Sequence, residues 1–210
     1  MRELFNENVT SIETYIMFKI TEKANELREE LTKKGREPIS LAMGAPTCRP
    51  PQFVIDEIKK LVDIDAMHTY SSPKGEKTYL EAVANRMKKR FGVEVNPKTE
   101  ICSLIGSKEG IANMIRALIN PKHDIKDKDI ILTPNPSYAS YKEMVKVSGG
   151  YSYSVPLTPE NNFMPDLDEV WDNLIKDGFD PKKVKALLVN YPSNPLGATA
   201  TLDYYKKAVE

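Results

Sequence analysis

Apolar residues recur at intervals of three and four along much of the chain, and each such stripe marks a helix. Ile12, Ile16, Ile20, Ala24, Leu27 and Leu31 predict an amphipathic helix over 11–31, stopped near Gly35. Pro50-Pro51 opens a second helix over 50–62, because proline suits a first helical turn. Leu80, Val83, Ala84, Met87 and Phe91 predict a third over 78–91, with Gly92 as its stop. Between these lie an extended piece at 39–43, ended by Gly44-Ala45-Pro46, and a polar loop at 68–74.

Beyond Gly92 the pattern changes to short apolar runs, each followed by a turn and a helical stripe. The runs 101–105, 130–132, 151–155 and 184–189 read as strands. The stripes at 109–119, 138–147, 167–175 and 201–210 read as helices, with Asp166 as an N-cap. Strands alternating with helices over short connections imply parallel pairing with right-handed crossovers. The unbroken run Ala186-Leu187-Leu188-Val189 fits a strand covered on both faces. The expected fold is α/β: a mainly parallel open sheet with helices on both faces, preceded by an N-terminal helical arm. The last stripe meets no glycine or proline before Glu210, which predicts that the 210 residues are part of a longer protein.

Composition narrows the class. Lys plus Arg and Asp plus Glu are 30 each, so the basic excess typical of nucleic-acid binders is missing. Apolar residues at 40% and charged residues at 29% describe an ordinary globular protein. No apolar run approaches the roughly 18 residues of a membrane span. Cys48, Cys102, His68 and His123 show no metal-ligand spacing, and the expectation is a reduced, cytoplasmic protein. Trp171 reads as packing, His68 as a surface loop residue, and Cys48 receives no role.

Candidate chemistry sits where predicted strands end, the edge at which open parallel sheets bind ligands. After 101–105 comes Gly106-Ser107-Lys108-Glu109-Gly110, a glycine turn into a helix. Its free N–H groups, a hydroxyl and an ammonium suit a phosphate, although a plain serine N-cap has the same spelling. Pro134-Asn135-Pro136-Ser137 aims Tyr138, which reads either as a platform for a flat ring or as a core tyrosine. Asn190 to Ala198 holds Asn194 among prolines, as a fixed amide donor or as ordinary turn chemistry.

In order, Gly44-x-Pro46, Tyr70-x4-Gly75, Gly106-Ser107-Lys108-Glu109, Pro134-x-Pro136-Ser137-Tyr138 and Asn190-Tyr191-Pro192-x-Asn194-Pro195-x-Gly197-Ala198 resemble the class I/II aminotransferases. These are fold-type I enzymes that use pyridoxal 5′-phosphate. The Gly-Ser-Lys-Glu-Gly spelling, with Tyr15-Ile16-Met17-Phe18, is similar to the LL-diaminopimelate and succinyl-diaminopimelate aminotransferase branch. The resemblance implies a phosphate cup from Gly106, Ser107 and Lys108, and a ring stack on Tyr138. It implies that Asn194 donates to the cofactor's phenolic oxygen and that Tyr70 reaches the phosphate of a second subunit in a homodimer. Gly44 and Tyr15 would meet the substrates, an amino acid and a 2-oxo acid. Residues 1–50 would be the arm and part of a small domain, and 51–210 the first part of the large, cofactor-binding domain.

Some positions depart from the family pattern. Ala45 and Thr47 stand where an acidic residue is common, and Leu196 replaces the usual threonine. The Schiff-base lysine follows the Asn-Pro loop in the family, and no lysine here matches it. Lys108 lies in the phosphate loop, while Lys206 and Lys207 read as a solvated helix face. No catalytic residue is therefore expected within these 210 residues, and the chain alone is expected to be inactive. Two other readings stay open: a non-catalytic ligand-binding or dimerising module, and a lyase or synthase of the same fold. A nicotinamide site is disfavoured, since no Gly-x-Gly-x-x-Gly follows a strand.

Overall fold

The computed structural model describes residues 4–37, 39, 41, 44 and 46–210. Ser40, Ala42, Met43 and Ala45 lie outside them, so the extended piece expected at 39–43 is only partly covered. The chain divides into two compact units, Met17–Ser107 and a second built from Met1–Ile16 with Lys108–Glu210.

The second unit carries the sheet. Strand β1 (Ile130–Asn135) lies between β2 (Tyr151–Pro156) and β3 (Val184–Leu187), and both pairings are parallel. Helix α6 (Ser140–Val147) connects β1 to β2, and α7 (Leu167–Lys176) connects β2 to β3. Alternation along β1 feeds two cores. Ile130 and Leu132 pack with Val155 and with Val170 and Leu174 of α7. Ile131 packs with Val145 of α6 and with Ile115 and Ile119, near the end of helix α5 (Ser107–Leu118). Helices thus cover both faces, which fits the unbroken apolar starts of β1 (Ile130-Ile131-Leu132) and of the run Ala186-Leu187-Leu188-Val189. Two further helices belong to this unit: α1 (Glu7–Thr10), capped by Asn6, and α8 (Leu202–Val209), capped by Thr201. The expected Asp166 cap is present, accepting from Asp168 N at 3.0 Å.

At the amino end of β1 the pairing with β3 slips by one residue, leaving Lys185 as the extra one. Its ammonium lies 3.5 Å from Asp129, a buried carboxylate that also accepts from Asn120 N at 2.8 Å and Asn120 Nδ2 at 3.1 Å. Burial opposes the charge, but the Asn120 donors and Lys185 outweigh it and hold the carboxyl below its ordinary 3.8. D129A should cost about 1–3 kcal/mol in urea unfolding, because Asn120 and Lys185 lose their acceptor. The carboxyl is depressed on folding, so its stabilisation is full above pH 3.8 and fades as pH falls through the folded value. D129A should therefore flatten the acid limb of the stability curve.

The unit Met17–Ser107 holds α2 (Ile16–Lys33, apart from its first residue), α3 (Gln52–Val62) and α4 (Lys77–Phe91). Helix α4 ends at Gly92 in the left-handed conformation, as expected. Helix α2 starts at Ile16, not at 11. The run 101–105 forms no strand among the described residues. Ser103 N bonds Lys74 O at 2.8 Å instead, and the Ile105 side chain is 98% exposed. A strand exists only where another backbone lies beside it, and apolar spelling does not supply that neighbour. Helices α2 and α3 fully bury no residue: Ile16, Ile20, Leu27, Phe53, Ile58 and Leu61 are exposed, while Ala24, Leu31, Val54 and Ile55 are half-buried.

Candidate functional site

Strands β1 and β3 end side by side, and Leu188 N continues their pairing to Leu132 O at 2.9 Å. The loops carrying Tyr138 and Asn194 therefore leave the same carboxyl edge of the sheet. Tyr138 is half-buried ahead of α6 and is braced edge-on by buried Tyr141, with centroids 5.5 Å apart at 67°. The Lys108 ammonium, from the first turn of α5, lies 5.2 Å from the centre of the Tyr138 ring. Lys108 and Tyr138 are 30 positions apart in sequence, and the fold brings them together.

The two side chains shift each other. Lys108 draws the Tyr138 phenol below its ordinary 10.0, against the opposing effect of burial and with help from Ser140. Interaction with the Tyr138 hydroxyl raises Lys108 above 10.5. Lys108 is consequently a fixed cation at neutral pH, suited to hold an anion and unsuited to act as a base. K108M should raise the Tyr138 ionisation toward 10.0 or above, read as tyrosinate absorbance after subtracting a Y138F control.

Ahead of Lys108, Gly106 is followed by Ser107 at the start of α5. A side chain placed at Gly106 would meet nothing within 4 Å among the described residues. The first-turn N–H groups and the helix dipole favour negative charge there.

The loop after β3 is tied at its neck by Ser193 N to Ala198 O at 2.8 Å and Gly197 N to Ser193 O at 2.6 Å. Ser193 is buried, whereas Asn194 is exposed. The Asn194 amide makes no hydrogen bond among the described residues and remains available as a donor.

Tyr15 and Lys108 share a cleft of about 530 Å³, lined also by Ile12, Ile16, Ala139 and Glu143. The sequence reading missed Glu143, one oxygen of which is buried without a hydrogen-bond partner among the described residues. Nothing in its spacing on α6 distinguishes it from a surface glutamate. Tyr138 and Asn194 are not among the residues lining that cleft. Tyr70 and Gly44 belong to the unit Met17–Ser107. Tyr70 is fully exposed, and a side chain at Gly44 would meet nothing within 4 Å among the described residues.

Comparison with known proteins interprets this edge. The family model for aminotransferase class I and II matches residues 36–210. The chain belongs to the class I and II aminotransferase family. LL-diaminopimelate aminotransferase of Aquifex aeolicus is 36% identical over 206 residues, 98% of this chain and 49% of that protein. The enzyme of the same name from Syntrophobacter fumaroxidans is 37% identical over 188 residues, 90% of this chain and 45% of that protein. The chain spans about half the length of the curated relatives it matches. Among solved structures, substrate-bound BacF of Bacillus subtilis aligns with a TM-score of 0.80 at 28% identity, covering 98% of this chain and 48% of that one. Thermus thermophilus aspartate aminotransferase with maleate aligns at 0.76 and 28%, covering 97% of this chain and 48% of that one.

The family is dependent on pyridoxal 5′-phosphate, and the donor chemistry present fits that group. It needs anion donors, a platform for a flat ring and a neutral donor to a phenolic oxygen. The start of α5 with Lys108, the braced Tyr138 ring and the unpartnered Asn194 amide are groups of those three kinds.

Proposed function

We propose that this chain is the cofactor-holding, N-terminal portion of a pyridoxal 5′-phosphate aminotransferase that moves an amino group between an amino acid and a 2-oxo acid. The observation that carries the reading is the fixed Lys108 cation beside the Tyr138 ring at the carboxyl edge of a parallel sheet. Gly106, Ser107 and Lys108 bind the phosphate, and Tyr138 presents its face to the ring. Asn194 donates to the phenolic oxygen, and Tyr15 and Gly44 border the substrates. When bound, the cofactor acts as an electron sink at the carbon that exchanges the amino group. The chain's own residues orient that group and neutralise its charge. None of them is matched to the lysine that moves the proton, so these 210 residues bind without turnover.

The relatives named above support an LL-diaminopimelate-type donor. The exposed apolar residues of α2 and α3, Phe53 and Ile58 among them, and the fully exposed Tyr70 support a homodimer, with Tyr70 serving the second subunit's phosphate. A cytoplasmic protein, with an arm and small-domain portion over 1–50 and a large-domain portion over 51–210, completes the proposal.

The test uses the protein isolated from its natural source. Its intact mass is measured, and LL-diaminopimelate is supplied with 2-oxoglutarate. Appearance of glutamate supports the reading. Elimination products, or no reaction with any amino donor, would sink it. The 210-residue chain alone should give no glutamate while still binding pyridoxine 5′-phosphate.

A further inference from the structure

Asn194 owes its place to contacts far outside its own loop. The neck bonds at Ser193 and Gly197 close the loop on itself without fixing its direction relative to the sheet. Tyr191 supplies that second constraint. Its hydroxyl donates to Phe163 O, and its ring meets Tyr204 and Tyr205 of α8 edge-on, at 5.9 Å and 6.3 Å with both angles 84°.

The acceptor is itself unusual. Phe163 and Asn162 are both non-glycine residues in the left-handed region, at φ 58° and 51°. Such a pair is strained and persists only where its surroundings over-determine it. Here Phe163 N bonds Thr158 O at 2.8 Å, Asn161 Oδ1 accepts from Thr158 N at 3.0 Å, and Asn161 Nδ2 donates to Pro156 O at 3.1 Å. Leu157 N in turn bonds Asn135 O at 2.8 Å. The Phe163 carbonyl is therefore held in the frame of β1 and β2, and Tyr191 carries that frame to the loop of β3. Burial pushes the Tyr191 and Tyr204 phenols up, so both hydroxyls stay protonated donors at neutral pH.

We infer that Tyr191 is a positioning residue: by anchoring to the left-handed Asn162–Phe163 turn, it aims the Asn194 amide at the cofactor's phenolic oxygen. The inference rests on the cofactor-site reading above. It assigns Tyr191 a task beyond packing, because a packing role needs the ring and not the hydroxyl. Contact along a route is not yet coupling, so the test measures coupling.

Binding of pyridoxine 5′-phosphate to the full 210-residue chain is measured by calorimetry for wild type, Tyr191→Phe, Asn194→Ala and the double variant. That ligand lacks the aldehyde, so it does not react with the lysines. Tyr191→Phe keeps the ring against Tyr204 and Tyr205 and should weaken binding about three- to tenfold, the scale of one net hydrogen bond. The double variant should bind no more weakly than Asn194→Ala alone. The bound ligand's phenol should titrate at higher pH in both single variants, a signature that looser packing alone does not produce. Asn161→Ala, which loosens the turn and leaves Tyr191 intact, should shift the titration in the same direction. Wild-type affinity in Tyr191→Phe beside a loss in Asn194→Ala overturns the inference alone. So do losses that multiply in the double variant. No binding by the wild-type chain overturns the cofactor-site reading, and the inference with it.

Discussion

L174A should lower the free energy of unfolding by about 2–5 kcal/mol, the range for a leucine removed from a tight core. Leu174 has no exposed surface and sits against Ile130, Leu132, Val155 and Val170. With Val170, it is the contact through which α7 grips the sheet face opposite α6. The loss combines transfer of the removed atoms with a cavity that a helix held between two strand connections cannot fill by moving. Trp171 lies on the same helix but is 40% exposed, so the packing role read from the sequence is only partly met. As the only tryptophan, it reports the transition by fluorescence. The midpoint in urea should fall with the slope unchanged, since the same surface is exposed on unfolding. A change below about 1 kcal/mol would mean that α7 is not docked on this face.

What the sequence revealed about the fold was its local periodicity. Helices α4 and α7 were legible to within a residue or two at each end, because Gly92 and Asp166 punctuate stripes with strong spacing. The run 101–105 was misread as a strand for the opposite reason. Its spelling is apolar, but strand formation is decided by a neighbour that lies elsewhere in the chain. The site divides in the same way. Ser107, Tyr138 and Asn194 each follow an apolar run, so each was visible alone. The approach of Lys108 to Tyr138 was invisible, as was the reach of Tyr191 to Phe163 across 28 positions. The first follows from α5 packing against β1 and the second from the strand order β2-β1-β3, neither of which a local pattern encodes. Glu143 escaped altogether, because its burial comes from the cleft it shares with the segment around Tyr15.

K108A should weaken binding of pyridoxine 5′-phosphate to the chain by about ten- to a hundredfold, the scale of one charge-assisted hydrogen bond to a phosphate. Lys108 is the strongest candidate for so large an effect, because its charge is fixed and its position is braced by Tyr138, which Tyr141 braces in turn. A cation already held in place loses little freedom when the anion arrives, so more of the attraction appears as affinity. The helix start at Ser107 remains in K108A, and residual binding should come from it. Salt separates the contributions. Wild-type affinity should fall with added chloride more steeply than K108A affinity, since screening acts on the exposed ammonium and little on backbone N–H groups. Phosphate-free pyridoxine should bind both proteins equally and more weakly than its phosphate ester binds wild type. Equal binding of the ester by wild type and K108A would remove Lys108 from the cup and leave the α5 start and Ser107 to account for anion binding by themselves.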